Sequence, residues 1–232
     1  MKHLLVFIIS FTVCHMAFGQ VVVNYSNPLY QTGGSFFPVM GALPSTNTSQ
    51  FELSKGSPFY KDEWTLATLI NEKGQSYKNV PVRVDLFQNN ILFRDSAGRE
   101  LIIGTPLREV RFTAGTSGKL PHFINGNLLP NPKKGWFQLL VNDSISLIRE
   151  SKKAIEQHTS YGSAPEYSMV TTESYFVYYG NKEYEVRKPA DLISIIPSRQ
   201  NELQAEAKKL GKLKSREEQL VAMTTFANTL LR

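Results

Sequence analysis

A chain of 232 residues of which 41% are hydrophobic can bury a sizeable core, and that excludes wholesale disorder. A single cysteine excludes a disulfide framework and a thiolate metal centre. The formal net charge of +6 is modest, and its uneven placement along the chain says more than its size.

The first element is a targeting signal. Met1-Lys2-His3 is a short basic start, Leu4 to Val13 is an almost unbroken apolar run, and Ala17-Phe18-Gly19 puts small residues where a signal peptidase reads. The pattern predicts a signal peptide over 1–19, cut between Gly19 and Gln20. The apolar run is too short to span a bilayer, and no second run follows it, so no transmembrane segment is expected. Cys14, the only cysteine, leaves with the signal, and Val13 stands before it where a lipidation site wants a small residue. The expected product is exported and periplasmic, outer-surface or secreted. An exported fold without disulfides suits a bacterial envelope.

Residues 20–52 read as an uncharged N-terminal arm. No Asp, Glu, Lys or Arg lies between Lys2 and Glu52, and Gly33-Gly34 and Pro44-Ser45 punctuate the stretch. Val21–Val23 and Ser35–Pro38 suit short strands in a poorly anchored arm. The alternative is an arm that adds as a strand to a neighbouring sheet edge.

Residues 53–188 read as an antiparallel β domain. Thr65–Ile70 alternates and ends at the turn Asn71-Glu72-Lys73-Gly74. Over Val80–Phe87, Val82, Val84 and Leu86 share one face and Arg83 and Asp85 the other, the period of a half-buried strand. Ile91–Asp95, Glu100–Ile103 and Glu109–Thr113 continue the series. Gly135–Val141 and Ser144–Arg149 form the next pair, and Asn142-Asp143 between them suits the positive φ values of a tight turn. Gln157–Thr172 reads as a long polar excursion or contact loop. Glu173–Tyr179 and Lys182–Arg187 close the series as a hairpin about Gly180-Asn181. Trp64, Trp136 and the tyrosines of this hairpin read as core and cross-strand packing rather than a stacking platform for a ligand.

Residues 189–232 read as a helical appendage packed on the β domain. Pro189–Ile193 opens a short helix that stops at Pro197. Ser198 is expected to cap a second helix carrying Leu203, Ala207 and Leu210, ended by Gly211. Ser215-Arg216-Glu217-Glu218 is a capping box for a third, with Leu220, Met223, Phe226, Ala227 and Leu230 on one stripe.

Candidates for chemistry are few. Past the signal only His122 and His158 remain, without acidic neighbours in Pro121-His122-Phe123 or Gln157-His158-Thr159, so neither a metal site nor a catalytic residue is expected. There is no Gly-x-Ser-x-Gly elbow, phosphate loop or dinucleotide fingerprint, and no cofactor is expected. The candidate contact surface is Tyr161 and Tyr167 in the polar stretch, with the basic cluster Lys208, Lys209, Lys212 and Lys214. The simpler reading of that cluster is a solvated helix face.

In combination these residues resemble a group of secreted bacterial proteins of uncharacterised function. The resemblance rests on Gly56-Ser57-Pro58-Phe59, Val80–Phe87 with Ile91-Leu92-Phe93, Gly135–Val141, Lys188–Leu192 and Glu217–Leu220. In that group a strand pair centres on an Arg-aromatic-Asn/Asp motif, and here Val84 stands at the aromatic position. The resemblance implies one compact exported unit from a Gram-negative envelope and carries no activity, cofactor or catalytic residue.

The expected fold is therefore mainly β with C-terminal α, an antiparallel meander, barrel-like or sandwich, followed by three short helices. The expected function is a non-enzymatic envelope protein that binds a protein or an envelope polymer, with no nucleic acid among its partners. The alternatives are a hydrolase of envelope polymers and a structural or assembly component using the arm.

Overall fold

The computed structural model describes residues 22–24, 39–42, 53–95, 98–113, 120–162, 164–211 and 215–232. The signal peptide, its cleavage site, the strand expected at Ser35–Pro38, and Lys212 and Lys214 lie outside them.

Three short strands come first, β1 (Val22–Asn24), β2 (Val39–Ala42) and β3 (Leu53–Lys55). A first meander follows: β4 (Thr65–Asn71), β5 (Ser76–Asp85), β6 (Asn90–Arg94) and β7 (Glu100–Ile103). A second comprises β8 (Leu107–Phe112), β9 (His122–Asn125), β10 (Trp136–Val141), β11 (Ser146–His158), β12 (Glu166–Tyr179) and β13 (Lys182–Val186). The chain returns from β7 so that β8 pairs with the free edge of β4, and the two meanders join into one sheet. Its order is β13-β12-β11-β10-β9-β8-β4-β5-β6-β7-β2, antiparallel throughout and open at both ends. Two side pairings are parallel: β1 runs beside Ser76–Lys78 of β5, and β3 beside Tyr167–Ser168 of β12. The antiparallel meander stands as expected, as a sheet that is mixed at these two margins.

The first meander curls. Ala67, Leu69, Val80, Val82 and Val110 are completely enclosed in a core that also takes Phe93, Phe112, Phe123 and Trp136, and among the described residues no helix contributes to it. Among the described residues the inner faces of β4 to β10 pack on one another, with Tyr60 beside them. Tyr60 packs on one side of this core, 5.0 Å from the Phe123 ring and 6.4 Å from that of Phe112. A bulge in β5 supplies part of the bend: Ala67 pairs Val80 but Leu69 pairs Tyr77, and the extra residue Asn79 takes φ +59°.

The Gly-Ser-Pro-aromatic segment fixes β3 and closes this core. Gly56 has φ +84°, and a side chain there would run into the Met169 carbonyl oxygen on β12. Leu86 N–H donates to the Pro58 carbonyl, and Tyr60 N–H to that of Val84. Arg83, on the outer face of β5, is held between the rings of Phe59 at 4.1 Å and Trp64 at 4.3 Å, and pairs with Glu100 at 2.6 Å. Trp136 joins the core and Trp64 the arginine stack, so both tryptophans serve packing.

The second meander is two-sided. Leu140, Ile145, Leu147, Tyr175, Val177 and Val186 face three helices, α1 (Asp191–Ile195), α2 (Gln200–Leu210) and α3 (Arg216–Thr229). From α3, Leu220, Met223 and Ala227 enter this core fully buried, as the stripe predicts. Arg149 ties the helix to the sheet through Glu217 at 2.6 Å and Glu173 at 3.2 Å. Asn228 is 3% exposed; its side chain accepts from Ile145 N–H at 2.8 Å and donates to the Ile145 carbonyl at 2.9 Å, completing the backbone as a paired strand would.

Several sequence expectations need correction. Asn142 and Asp143 do not take positive φ; β10 ends at Val141, β11 begins at Ser146, and the Asp143 carboxylate accepts from Ser144 N–H. The stretch 157–172 is mostly strand, because β11 runs to His158 and β12 starts at Glu166, paired residue for residue from Ser146↔Tyr178 to His158↔Glu166. Ser198 does not cap α2; it sits in a 3-10 turn, Pro197–Arg199, that leads straight into the helix. Strand β9 has no counterpart in the sequence reading. The Gly180-Asn181 turn holds, with φ +56° and +61°, and so does the capping box, with Ser215 and Glu218 bonding each other's backbone N–H.

Candidate functional groove

The face of the second meander away from the helices carries Phe137, Ile148 and Tyr178 over Leu129, with Ile124, Leu139 and Phe176 beside them. No helix covers it. The connection from β9 to β10 crosses it instead, a compact loop closed by Gly126 N–H to the Gly135 carbonyl at 2.9 Å and Lys133 N–H to the Gly126 carbonyl at 3.1 Å. Gly126 is required there, since a side chain would strike the Lys133 carbonyl oxygen. The loop crosses the apolar face and leaves a groove of about 280 Å3 beside it.

The groove runs across the strands. Ile124 on β9, Leu139 on β10 and Ile148 on β11 form its floor, and Leu128, Leu129 and Pro130 of the loop form one wall. Leu128 is 43% exposed at the rim. From β8 to β12 is four strand spacings, about 19 Å at ~4.8 Å each. Glu109, Arg111 and His122 line the β8 end, and Asn142, Ser146 and Tyr178 the far end.

The three residues of the β8 end are brought together by register. Arg111 pairs with His122 and Glu109 with Ile124 across the β8–β9 ladder, and residues two apart on a strand share a face. The Glu109 Oε2 accepts from Arg111 Nε at 2.9 Å and Nη2 at 2.6 Å, and lies 2.8 Å from His122 Nε2. Burial pushes the Glu109 carboxyl up, but the bonds from Arg111 and His122 outweigh it, and the group is held below the usual glutamate range. The sequence expectation that His122 lacks an acidic companion is thus corrected: the companion lies on the neighbouring strand. His158 also has one, Glu156 at 3.8 Å.

The far end is organised around Glu183. Tyr178 O–H donates to its carboxylate, and Lys133 Nζ pairs with it at 2.6 Å while standing 3.9 Å over the Phe176 ring. Burial first, and then the bond to Glu183, push the Tyr178 phenol far above its ordinary value, so it stays a donor under physiological conditions. Burial pushes the Glu183 carboxyl up, but Lys133 and Tyr178 hold it below its usual range.

His122 Nε2 is committed to Glu109. Ser146, a hydroxyl at the far end of the groove, donates to the Asp143 carbonyl at 3.3 Å and sits two strands from His122, about 10 Å away. That separation is beyond the reach of a nucleophile–base hydrogen bond, ~2.6–3.2 Å. Among the described residues, no group of three His, Cys, Asp or Glu is placed to hold a metal ion, and no helix is long and apolar enough to cross a membrane.

Of the contact residues singled out in the sequence, the four described, Tyr161, Tyr167, Lys208 and Lys209, lie outside the groove. Tyr161 is fully exposed at the tip of the β11–β12 hairpin. Tyr167 is half-buried on β12, its carbonyl accepting from Ser54 Oγ at 3.0 Å. Lys208 and Lys209 lie in the last turn of α2, with Lys209 paired to Glu206 at 2.9 Å. Arg216, just beyond them at the start of α3, reaches the Glu173 carbonyl at 3.3 Å. Glu173 is seven residues along β12 from Glu166, about 23 Å of strand at ~3.3 Å per residue, so tip and lysine cluster are separate surfaces. The groove residues were missed because β9 went unrecognised; Glu109-x-Arg111 and His122-x-Ile124 each alternate correctly, but only their pairing makes a site.

Comparison with protein-family models, with curated proteins and with solved structures finds no match to this chain.

Proposed function

We propose that this is an exported, non-enzymatic envelope protein that binds its partner through the groove between the β9–β10 loop and strands β8 to β12. The observation that supports the reading is the division of labour there. The half-buried Ile124 and Leu139 and the exposed rim residue Leu128 are available to a partner, while Glu109, Arg111 and His122 at one end and Tyr178, Glu183 and Lys133 at the other are engaged with one another. Polar groups fixed in this way orient a ligand without supplying a nucleophile. For the hydrolase alternative, the serine described in the groove, Ser146, bonds the Asp143 carbonyl and not His122. The assembly alternative needs the arm free, and β1 and β2 pair with β5 and β7 of their own chain.

Affinity capture from the native envelope tests the proposal with two baits, the natural protein and Leu128→Asp. Leu128 is at the rim, so its replacement leaves the core intact. The expected result is a partner held by the first bait and lost by the second at equal melting temperature. Turnover of envelope polymer by the purified protein, or a partner held equally by both baits, overturns it.

A further inference from the structure

Resting on that reading, we infer that the β9–β10 loop, residues 127–134, is a lid over the groove floor. It pivots at Gly126 and Gly135 and is latched by Lys133 on Glu183.

The floor is closed while the loop is down. Phe137 and Ile148 are each 1% exposed and Tyr178 is 7% exposed, and Leu129 of the loop packs in the same cluster. A partner that is to touch this part of the apolar face must first displace the loop.

The loop is closed on itself more than on the sheet. Gly126 N–H donates to the Gly135 carbonyl, and the Gly126 carbonyl accepts from Leu129 and Lys133 N–H, so these bonds travel with the loop. Of residues 127–134 only Leu129 is buried and Lys133 half-buried; the other six are exposed. A segment held by one buried apolar side chain opens at far lower cost than the core beneath it. The base stays seated: Gly135 has φ +114°, and a side chain there would strike Asn89 Oδ1 in the β5–β6 turn.

Among the described residues, the hydrogen bonds from loop to sheet converge on one carboxylate. Glu183 accepts from Lys133 Nζ at 2.6 Å and from the Asn131 side chain, while Lys133 Nζ lies 3.9 Å over the Phe176 ring. Opening the loop does not strand that carboxylate. Tyr178 O–H still donates to it, and water replaces the lysine. The latch therefore parts without leaving a buried charge unpaired.

Thiol labelling tests the lid. In a Cys14→Ser background, which has no other cysteine, Ile148→Cys puts a thiol beneath the loop. Leu147→Cys puts one on the opposite face of β11, completely buried against the helices. Modification by N-ethylmaleimide is followed under native conditions and at low urea. The expected result is that the Ile148→Cys thiol reacts faster than the Leu147→Cys thiol, with a rate that barely responds to urea. The Leu147→Cys rate should climb with urea, because its thiol waits for unfolding of the core. Lys133→Met, which keeps the stem over Phe176 but not the charged hydrogen bond, should speed the Ile148→Cys reaction roughly tenfold. Equal rates and equal urea dependence at the two positions, or indifference to Lys133→Met, overturn the lid. If either cysteine variant fails to fold, binding of anilinonaphthalene sulfonate decides. Lys133→Met in the otherwise natural chain should raise its fluorescence, and an unchanged signal overturns the lid. If the Ile148→Cys thiol is as protected as that of Leu147→Cys while the Leu128→Asp bait still loses its partner, the lid falls and the binding reading stands.

Discussion

Asn228 shows how a single side chain joins two elements. Its amide satisfies both backbone groups of Ile145 inside a dry core. Asn228→Ala would leave a buried N–H and C=O without partners, and the expected loss is about 2–4 kcal/mol in chemical denaturation. Glu109 makes the second residue-scale prediction. Its folded carboxyl titrates below the unfolded value, so its contribution to stability is complete above the unfolded range, near 4.3, and is lost as pH falls through the lower, folded value. Glu109→Gln should flatten the acid limb of the stability–pH curve below about pH 4.5. An acid limb identical to that of the natural protein would show that Arg111 and His122 do not act on this carboxylate.

Among the elements, the capped helices and the half-buried strands were legible in the sequence because their signals are local. Ser215 and Glu218 recognise each other within one turn, and Val82 and Val84 alternate with Arg83 along one strand. The outer half of the β11–β12 hairpin was not legible. From Lys152 to His158 and Glu166 to Ser174 much of both strands is exposed, so no apolar alternation marks them. Their order comes instead from ladder bonds, from β3 alongside Tyr167, and from Met169 buried against Gly56. Strand β9 was hidden for another reason: four residues, His122–Asn125, give too short a run to show a period. The helices make the prediction at this scale. Leu203, Leu220 and Met223 are completely buried against Ile145, Leu147 and Val177, and such side chains are worth roughly 1.5–3 kcal/mol each. Deleting Ser198–Arg232 should therefore cause aggregation or a marked fall in melting temperature. An unchanged melting curve would mean that the sheet stands without them.

On the scale of the whole molecule, the curled first meander supplies its own core, and the second borrows one from three helices. Among the described residues the second meander has a further apolar face, crossed by the Gly126–Gly135 loop, and the groove lies beside that loop. Lys208 and Lys209 of the basic C-terminal cluster belong to a different surface, and so does the exposed Tyr161. The central claim is that contact is made at the groove. Site-specific photo-cross-linking in the native envelope tests it most directly, with the reactive group placed in turn at Leu128, Tyr161 and Lys208. The account predicts a discrete adduct from Leu128, with none from the other two positions. Adducts from Tyr161 or Lys208 with none from Leu128 would contradict it and return the contact surface to the hairpin tip or the helix end.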